Sequence, residues 1–227
     1  MNNYPEFPLS LALQNYMPVA FSAIGLVLIA RMLQREHAPA GRLAWVGAAV
    51  LIFAGVMKAS WKLAMAIARV DVPFFNQGFF PMIAPGFLLM AWSVWSNQRA
   101  LSARAVALPP LVAVVVVLGV AALLAQLAAG RTWAHWLIAV ATVGNVSLAL
   151  LLTRRALSQR QPLAATLFVL NLLITFALSA IAGMPEKPLH IHWTEQIIST
   201  ISNAGFAWAA WMIAQRRVVP AAQWASA

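Results

Sequence analysis

The sequence contains no cysteine, which excludes disulfide bonds, thiolate metal sites and cysteine nucleophiles. It also has few charges: only 9% of the residues are charged, against roughly 25% in a typical soluble domain. Acidic residues are the scarcer kind, with five Asp and Glu against 15 Lys and Arg. Because 63% of the residues are hydrophobic, this composition excludes a soluble globular protein and predicts one that lies within a membrane.

Long apolar runs fill most of the chain. Each is about 20 residues long, enough to cross ~30 Å of hydrocarbon as a helix. We therefore predict an all-α, polytopic membrane protein in which a single seven-helix domain occupies residues 1–227. The N-terminal residues carry Glu6 and no basic residue, unlike a cleavable signal peptide, so we expect the first span to stay. The predicted spans cover residues 11–32, 43–68, 79–95, 106–129, 133–153, 162–184 and 193–214.

The basic residues lie mainly on one side of these spans. Ten arginines follow the odd-numbered spans: Arg31, Arg35, Arg42, Arg99, Arg104, Arg154, Arg155, Arg160, Arg216 and Arg217. On the other side lie Arg69, Arg131 and Lys187. The positive-inside rule then predicts an outside N-terminus and a cytoplasmic C-terminus, in an inner membrane of bacterial type. Arginines spread over four short segments do not form the basic stripe of a nucleic-acid-binding protein.

An internal repeat is the second large-scale pattern. Shifting the chain by 119 residues superposes the first three spans on the last three. In this register Gly25 falls on Gly144, Arg35 on Arg154, Ser60 on Ser179 and Gln77 on Gln196; PGFLLMAW (85–92) falls on AGFAWAAW (204–211). We predict two parallel three-helix repeats, residues 11–97 and 133–216, related by an axis along the membrane normal and joined by a linker helix, residues 106–129.

Three helices, a linker helix and three more helices, with the N-terminus outside, resemble the SWEET and PQ-loop transporters and the vitamin-precursor carriers of nicotinamide riboside type. Some classifications group these with rhodopsins and G-protein-coupled receptors. The resemblance is one of architecture, since the first and fifth spans contain no Pro-Gln pair and the seventh has no lysine to hold retinal. It implies a small carrier with a site between the two repeats.

Two lysines stand inside the second span, where a central charge costs ~2.5–3.5 kcal/mol on insertion scales. Lys58 and Lys62 are spaced i and i+4, so they share a helix face. At ~1.5 Å per residue they lie about 22 and 28 Å from the start of the span, in its outer half. Glu195 is the intramembrane carboxylate expected to neutralise one of them. Alternatively, Lys62 snorkels to the headgroups, Lys58 has a purely structural partner, or Glu195 caps its helix.

Other polar or aromatic groups are expected at the same level, which predicts an outer vestibule for an anionic or strongly hydrogen-bonding solute. The helix N-termini there add partial positive charge. The predicted ligand-binding residues are Lys58, Lys62, Glu195, Gln196, Asn76, Gln77, Trp61, Trp92 and Trp211. Deeper in the membrane, a polar track is predicted at Asn145, Asn171 and Asn203, which could equally join helices by hydrogen bonds. A hinge is predicted at Pro85, Gly86 and Gly205.

These features predict a membrane carrier for a small polar or anionic solute, with a receptor, sensor or scaffold protein as the alternative. An enzyme is not expected, because the four histidines, His37, His135, His190 and His192, lie at the ends of spans or outside them. For the same reason we predict no metal centre and no cofactor. The expected partners are the lipid bilayer and a small-molecule ligand, with no nucleic acid; homo-oligomerisation is left open.

Overall fold

The computed structural model describes residues 8–127, 130–182 and 188–215. Within these residues every regular element is a helix, and there is no strand. Arg216, Arg217, Lys187 and the predicted span ends at residues 129 and 184 lie outside the described residues. The helices are α1 (Leu9–Gln14), α2 (Tyr16–Glu36), α3 (Ala38–Ala68), α4 (Pro73–Gln77), α5 (Phe79–Gln98), α6 (Ala103–Leu127), α7 (Thr132–Ser158), α8 (Pro162–Ala182) and α9 (Leu189–Gln215).

Within residues 8–127, 130–182 and 188–215, seven spans are long and apolar enough to cross a membrane, which confirms the prediction of a seven-helix, all-α membrane protein. The first consists of α1 and α2, and the third of α4 and α5. The helices extend beyond several of the predicted apolar runs, because polar and basic residues continue the last turns. In α7, for example, the helix runs on through Arg154 and Arg155 to Ser158.

The break between α1 and α2 falls at Asn15 and follows from a nearby proline. Pro18 has no N–H and so cannot donate to the carbonyl of Gln14, four residues before it. The Asn15 side chain is 8% exposed and its Nδ2 donates to the Leu11 carbonyl at 2.7 Å. A polar amide is thereby held inside the bundle near one end of the first span.

Six helices form a closed ring in the order α2, α3, α5, α7, α8 and α9, with α9 packed against α2. Helix α6 lies outside the ring against α5, α7 and α3. Alternation of direction along the chain gives the bundle two chemically different ends. We call the end that carries Lys58, Asn76 and Arg131 the lysine end, and the end that carries Glu36 and Arg155 the arginine end.

Small residues let the ring helices approach closely, as is usual in membrane bundles. A Cβ atom added at Gly25 of α2 would lie 2.4 Å from Phe206 Cε1 of α9. A Cβ atom added at Gly144 of α7 would lie 2.9 Å from Phe87 Cβ of α5. Glycine is therefore required at both contacts, where any side chain would push the two helices apart.

Among the described residues, the larger of two core clusters lies at the arginine end, and a smaller one joins α5, α6 and α7 nearer the lysine end. Fully buried side chains at the arginine end include Leu33, Val94, Leu152 and Ile213, which meet from four helices of the ring. Toward the lysine end, by contrast, residues 169–181 of α8 and 189–201 of α9 include no buried residue. The bundle is thus tightly packed at one end and loosely packed along α8 and α9 at the other.

Candidate functional site

A group of polar and aromatic side chains at the lysine end surrounds Lys58. The Lys58 Nζ donates to Asn76 Oδ1 at 2.5 Å and lies 4.7 Å from the centre of the Trp61 ring. The Trp61 Nε1 in turn donates to Asp71 Oδ1 at 2.8 Å, and the Phe79 ring centre lies 6.0 Å from Nζ. We call these five residues the lysine cluster.

Local sequence places these groups around the ammonium. Lys58 and Trp61 are three residues apart on α3, so they project from one face of the helix. Pro73 starts α4, whose single turn places Asn76 beside α3; the backbone N–H of Asn76 donates to the Val72 carbonyl. The amide therefore reaches Lys58 from α4, the short first helix of the third span.

The ammonium of Lys58 is only partly satisfied by this arrangement. A lysine has three N–H donors, and Asn76 is the hydrogen-bond acceptor that the structure provides among the described residues. The indole ring contributes a cation–π interaction, which is worth ~0.5–2 kcal/mol depending on solvation. No described carboxylate forms a salt bridge with Lys58. Donors and positive charge remain available to a solute.

A second cation approaches the same region from α7. The guanidinium carbon of Arg131 lies 5.7 Å from the Phe80 ring centre, and the rings of Phe79 and Phe80 are 5.7 Å apart. Phe80 also packs edge-on against Trp133 at 6.2 Å. Two cations, from α3 and from the start of α7, therefore flank a pair of phenylalanines, and the local charge favours an anion.

Lys62 has a different partner from Lys58. Its Nζ donates at 2.7 Å to Oδ1 of Asn15, in the break between α1 and α2. Close by, the Tyr16 hydroxyl and Ser60 Oγ are hydrogen-bonded at 3.0 Å. Both lysine ammonium groups thus bind protein amides. Asn15 was missed by sequence reasoning, although an asparagine within an apolar span three residues before a proline was a signal for it.

The acidic side chain expected beside the lysines lies on α9. Glu195 Oε2 is 3.6 Å from Nδ1 of His192, one turn earlier on the same helix. Lys58 does not form the expected ion pair with Glu195; its Nζ donates to Asn76 instead.

The two predicted glutamines also lie apart from Lys58 in their contacts. The carbonyl of Gln196 accepts from Thr200 Oγ1 at 2.7 Å, and this hydroxyl accepts from Gln14 Nε2 at 3.2 Å. Gln77 is exposed at the end of α4.

The two tryptophans predicted as further ligand contacts lie elsewhere. Trp92 Nε1 donates to the Val106 carbonyl of α6 at 3.0 Å, and its ring is 4.7 Å from that of Trp95. Trp211 is 47% exposed near the arginine end of α9. Trp92 follows Asn76 by 16 residues, which corresponds to about 24 Å along a helix. Neither indole is brought to the lysine cluster.

The three asparagines predicted as a deeper polar track make different contacts. Asn171 Nδ2 donates to Ser202 Oγ at 2.9 Å and joins α8 to α9, and Asn203 Nδ2 donates to the Ser199 carbonyl at 2.8 Å. Asn171 thus joins two helices, the alternative considered from the sequence, whereas the Asn203 hydrogen bond stays within α9. Asn145 is half-buried, and its amide makes no hydrogen bond with another described residue.

The residues predicted as a hinge lie in helix contacts. Pro85 is buried inside α5. It is followed by Gly86, where an added Cβ would lie 2.7 Å from Leu51 Cδ2. An added Cβ at Gly205 would lie 3.4 Å from Leu167 Cδ2. The hinge itself stays a prediction.

A second polar cluster, at the arginine end, was missed from the sequence. Arg155 of α7 forms an ion pair with Glu36 of α2, and Asn97 Nδ2 of α5 donates to Glu36 Oε2 at 2.7 Å. The Arg155 side chain is only 6% exposed, and no described residue is a hydrogen-bond partner of its Nε. We call these three residues the arginine cluster. The sequence feature that could have revealed this cluster is a pair of opposite charges 119 residues apart, which is the period of the repeat.

Comparison of the chain with protein-family models, curated proteins and solved structures gives no match. The class of protein therefore rests on the fold and the two clusters. This chain is a multi-pass, seven-helix membrane protein with a partly satisfied cationic cluster at one end and a partly buried ion pair at the other.

Proposed function

We propose that this protein is a plasma-membrane carrier for a small anionic or strongly hydrogen-bonding solute, which enters at the lysine cluster. The observation that carries the proposal is the difference between the two ends. The arginine end is packed by the larger core cluster and linked by a partly buried ion pair, whereas the lysine end has loosely packed α8 and α9 and an ammonium with unused donors. The arginine-rich end faces the cytoplasm, as the positive-inside rule favours.

Equivalent contacts support two parallel repeats as the moving parts. Residues 25 and 144 are 119 apart, as are residues 87 and 206, so the contact of Gly25 with Phe206 corresponds to that of Gly144 with Phe87. Glu36 and Arg155 are also equivalent, and they contact each other, as residues near a pseudo-twofold axis do. Carriers built from repeats alternate access by rocking one repeat against the other around a fixed site.

In this mechanism the solute is drawn in by the charges of Lys58 and Arg131. It accepts hydrogen bonds from the free donors of Lys58, while Asn76 and Trp61 keep the ammonium in place. Passage requires the arginine end to open, and hence the ion pair of the arginine cluster to separate. The unused amide of Asn145 offers a hydrogen bond on the way, and Pro85 and Gly86 provide the weakened backbone at which α5 bends.

The proposal predicts that Lys58→Met abolishes most of the solute flux. Losing a charge-assisted hydrogen bond costs ~1.5–3 kcal/mol, so we expect solute affinity to fall about 10- to 150-fold. The measurement is uptake into liposomes that contain the purified protein, with a panel of small carboxylates and phosphate esters as solutes. Lys58→Arg keeps the cation and should retain part of the uptake.

Arg104→Met is the matched control, because it removes one exposed cation at the arginine end, away from the lysine cluster. It should leave uptake unchanged. Flux that is equal in the parent protein, Lys58→Met and protein-free liposomes would contradict the carrier assignment.

A receptor or sensor is the alternative, and the ion pair that joins α2 to α7 at the arginine end favours it. Such a protein would bind the solute at the lysine cluster without releasing it on the other side. Equilibrium binding that depends on Lys58, together with no uptake in the same liposomes, would identify this case.

A further inference from the structure

A groove opens at the arginine end, where the turn from α7 to α8 meets the last turns of α9. It has a volume of about 380 Å³. It is separate from both clusters described above and shares no residue with them. The lining residues are Arg160, Gln161, Pro162, Leu163, Trp211, Met212 and Gln215.

One wall of the groove carries a buried amide with an unused acceptor. Gln161 is 7% exposed, and its Nε2 donates to the Met212 carbonyl at 3.1 Å, which orients the side chain between α8 and α9. Its Oε1 has no hydrogen-bond partner among the residues that the structure describes. A buried carbonyl oxygen without a donor is unfavourable, so this atom favours a ligand that carries an N–H or O–H group.

The other wall supplies a cation and an apolar surface. Arg160 is exposed and takes a left-handed backbone conformation, with φ at 56°, that places it at the tip of the turn. It forms no salt bridge with a described carboxylate. Next to it, Leu163 and Trp211 are 48% and 47% exposed. Arginine and tryptophan together at the end of a span are typical of the level of the lipid headgroups.

We propose that this groove binds the headgroup of a phospholipid. The phosphate lies on the Arg160 guanidinium, a hydroxyl or ammonium group of the headgroup donates to Gln161 Oε1, and the first part of an acyl chain lies along Leu163 and Trp211. Phosphatidylglycerol and phosphatidylethanolamine carry both a phosphate and such a donor. Phosphatidylcholine has the phosphate but no N–H or O–H group, so it satisfies only half of the site.

Lipid binding to the delipidated, full-length protein in detergent tests the proposal, with native mass spectrometry as the measurement. We expect phosphatidylglycerol and phosphatidylethanolamine to bind at least about tenfold more tightly than phosphatidylcholine, the ratio that one hydrogen bond in a partly buried site supports. Arg160→Asn keeps a residue that tolerates the left-handed backbone. It should weaken all three lipids by about tenfold or more. Gln161→Met should abolish the preference over phosphatidylcholine.

Arg104→Asn is the matched control, since it removes an exposed arginine at the same end but outside the groove. It should leave lipid binding as in the parent protein. Equal binding of the three lipids would overturn the proposal, as would equal losses in Arg104→Asn and Arg160→Asn. Soluble glycerol phosphate provides the last comparison: if it binds as tightly as the lipids, the ligand is a free phosphate ester and the lipid assignment is wrong.

Discussion

Glu36→Gln is expected to lower the free energy of unfolding by about 3 kcal/mol, the effect of leaving a buried charge without its partner. The reason is that the Arg155 side chain, only 6% exposed, would keep its charge and lose its counter-ion. The amide keeps a single acceptor oxygen, so either Arg155 or Asn97 would also lose its hydrogen bond to residue 36. Reversible unfolding in mixed micelles with increasing denaturing detergent measures the change. The reversed pair, Glu36→Arg with Arg155→Glu, should recover part of the loss.

Two neighbouring arginines provide an internal control for this result. Arg155 is buried in the arginine cluster, whereas Arg154 is exposed on the same turn of α7. Arg155→Gln should destabilise the protein by about 2 kcal/mol or more, and Arg154→Gln by no more than ~0.5 kcal/mol. Similar stabilities for the two variants would contradict a structural role for the ion pair of Arg155 with Glu36.

Glu36→Gln also tests whether the arginine cluster acts as a gate. The chain has no cysteine, so an Asn145→Cys variant carries a single thiol for labelling. We expect a membrane-impermeant reagent to label this thiol faster from the arginine end when Glu36→Gln is also present. Unchanged labelling in a variant that is clearly destabilised would mean that the ion pair fastens the helices without controlling access.

Gly144→Ala should destabilise the protein by ~1–3 kcal/mol, as overpacking of a close helix contact does. The added methyl would lie 3.1 Å from the backbone nitrogen of Leu88 as well as against Phe87, so α7 and α5 would have to separate. Gly25→Ala should have a similar effect, because its methyl would meet the Phe206 ring. The measurement is again reversible unfolding in mixed micelles.

Gly119 of α6 is the matched control, since an added Cβ there would have no atom within 4 Å. Gly119→Ala should be neutral, or stabilising by up to ~1 kcal/mol from helix propensity alone. A second substitution separates the two contacts: Phe206→Leu should partly restore Gly25→Ala, whereas Phe87→Leu should restore Gly144→Ala less, because backbone atoms cause that clash. A Gly144→Ala variant as stable as Gly119→Ala would contradict the close approach of α5 and α7.

The sequence predicted how deep in the membrane the residues of the candidate site lie. Lys58 and Asn76 were expected at one level because each lies close to the same end of its span, and the structure joins them by a hydrogen bond. Depth says nothing about rotation, however. Glu195 lies at a similar level on α9, yet the hydrogen-bond partner of Lys58 is Asn76, which lies on the one-turn helix α4.

Trp92 and Trp211 show why repeat equivalence was not enough to identify a site. The two residues are equivalent in the proposed register, but Trp92 donates to a carbonyl of the linker helix, whereas Trp211 borders the groove beside Arg160. The ring neighbours are equivalent, α3 and α7 for α5 and α8 and α2 for α9, but the linker helix α6 packs against α5. One additional helix therefore gives equivalent side chains different surroundings.

The sequence by itself determined the class of this protein, its seven spans and the general level of its intramembrane charges. These follow from the one-dimensional requirement that hydrocarbon be crossed by about 20 apolar residues in a helix. Only the tertiary structure decided which polar groups meet: Lys62 with Asn15, Arg155 with Glu36, and Gln161 with the end of α9. Those contacts depend on how each helix is rotated and which helix lies beside it, and both are set by the packing of small and large side chains around the whole ring.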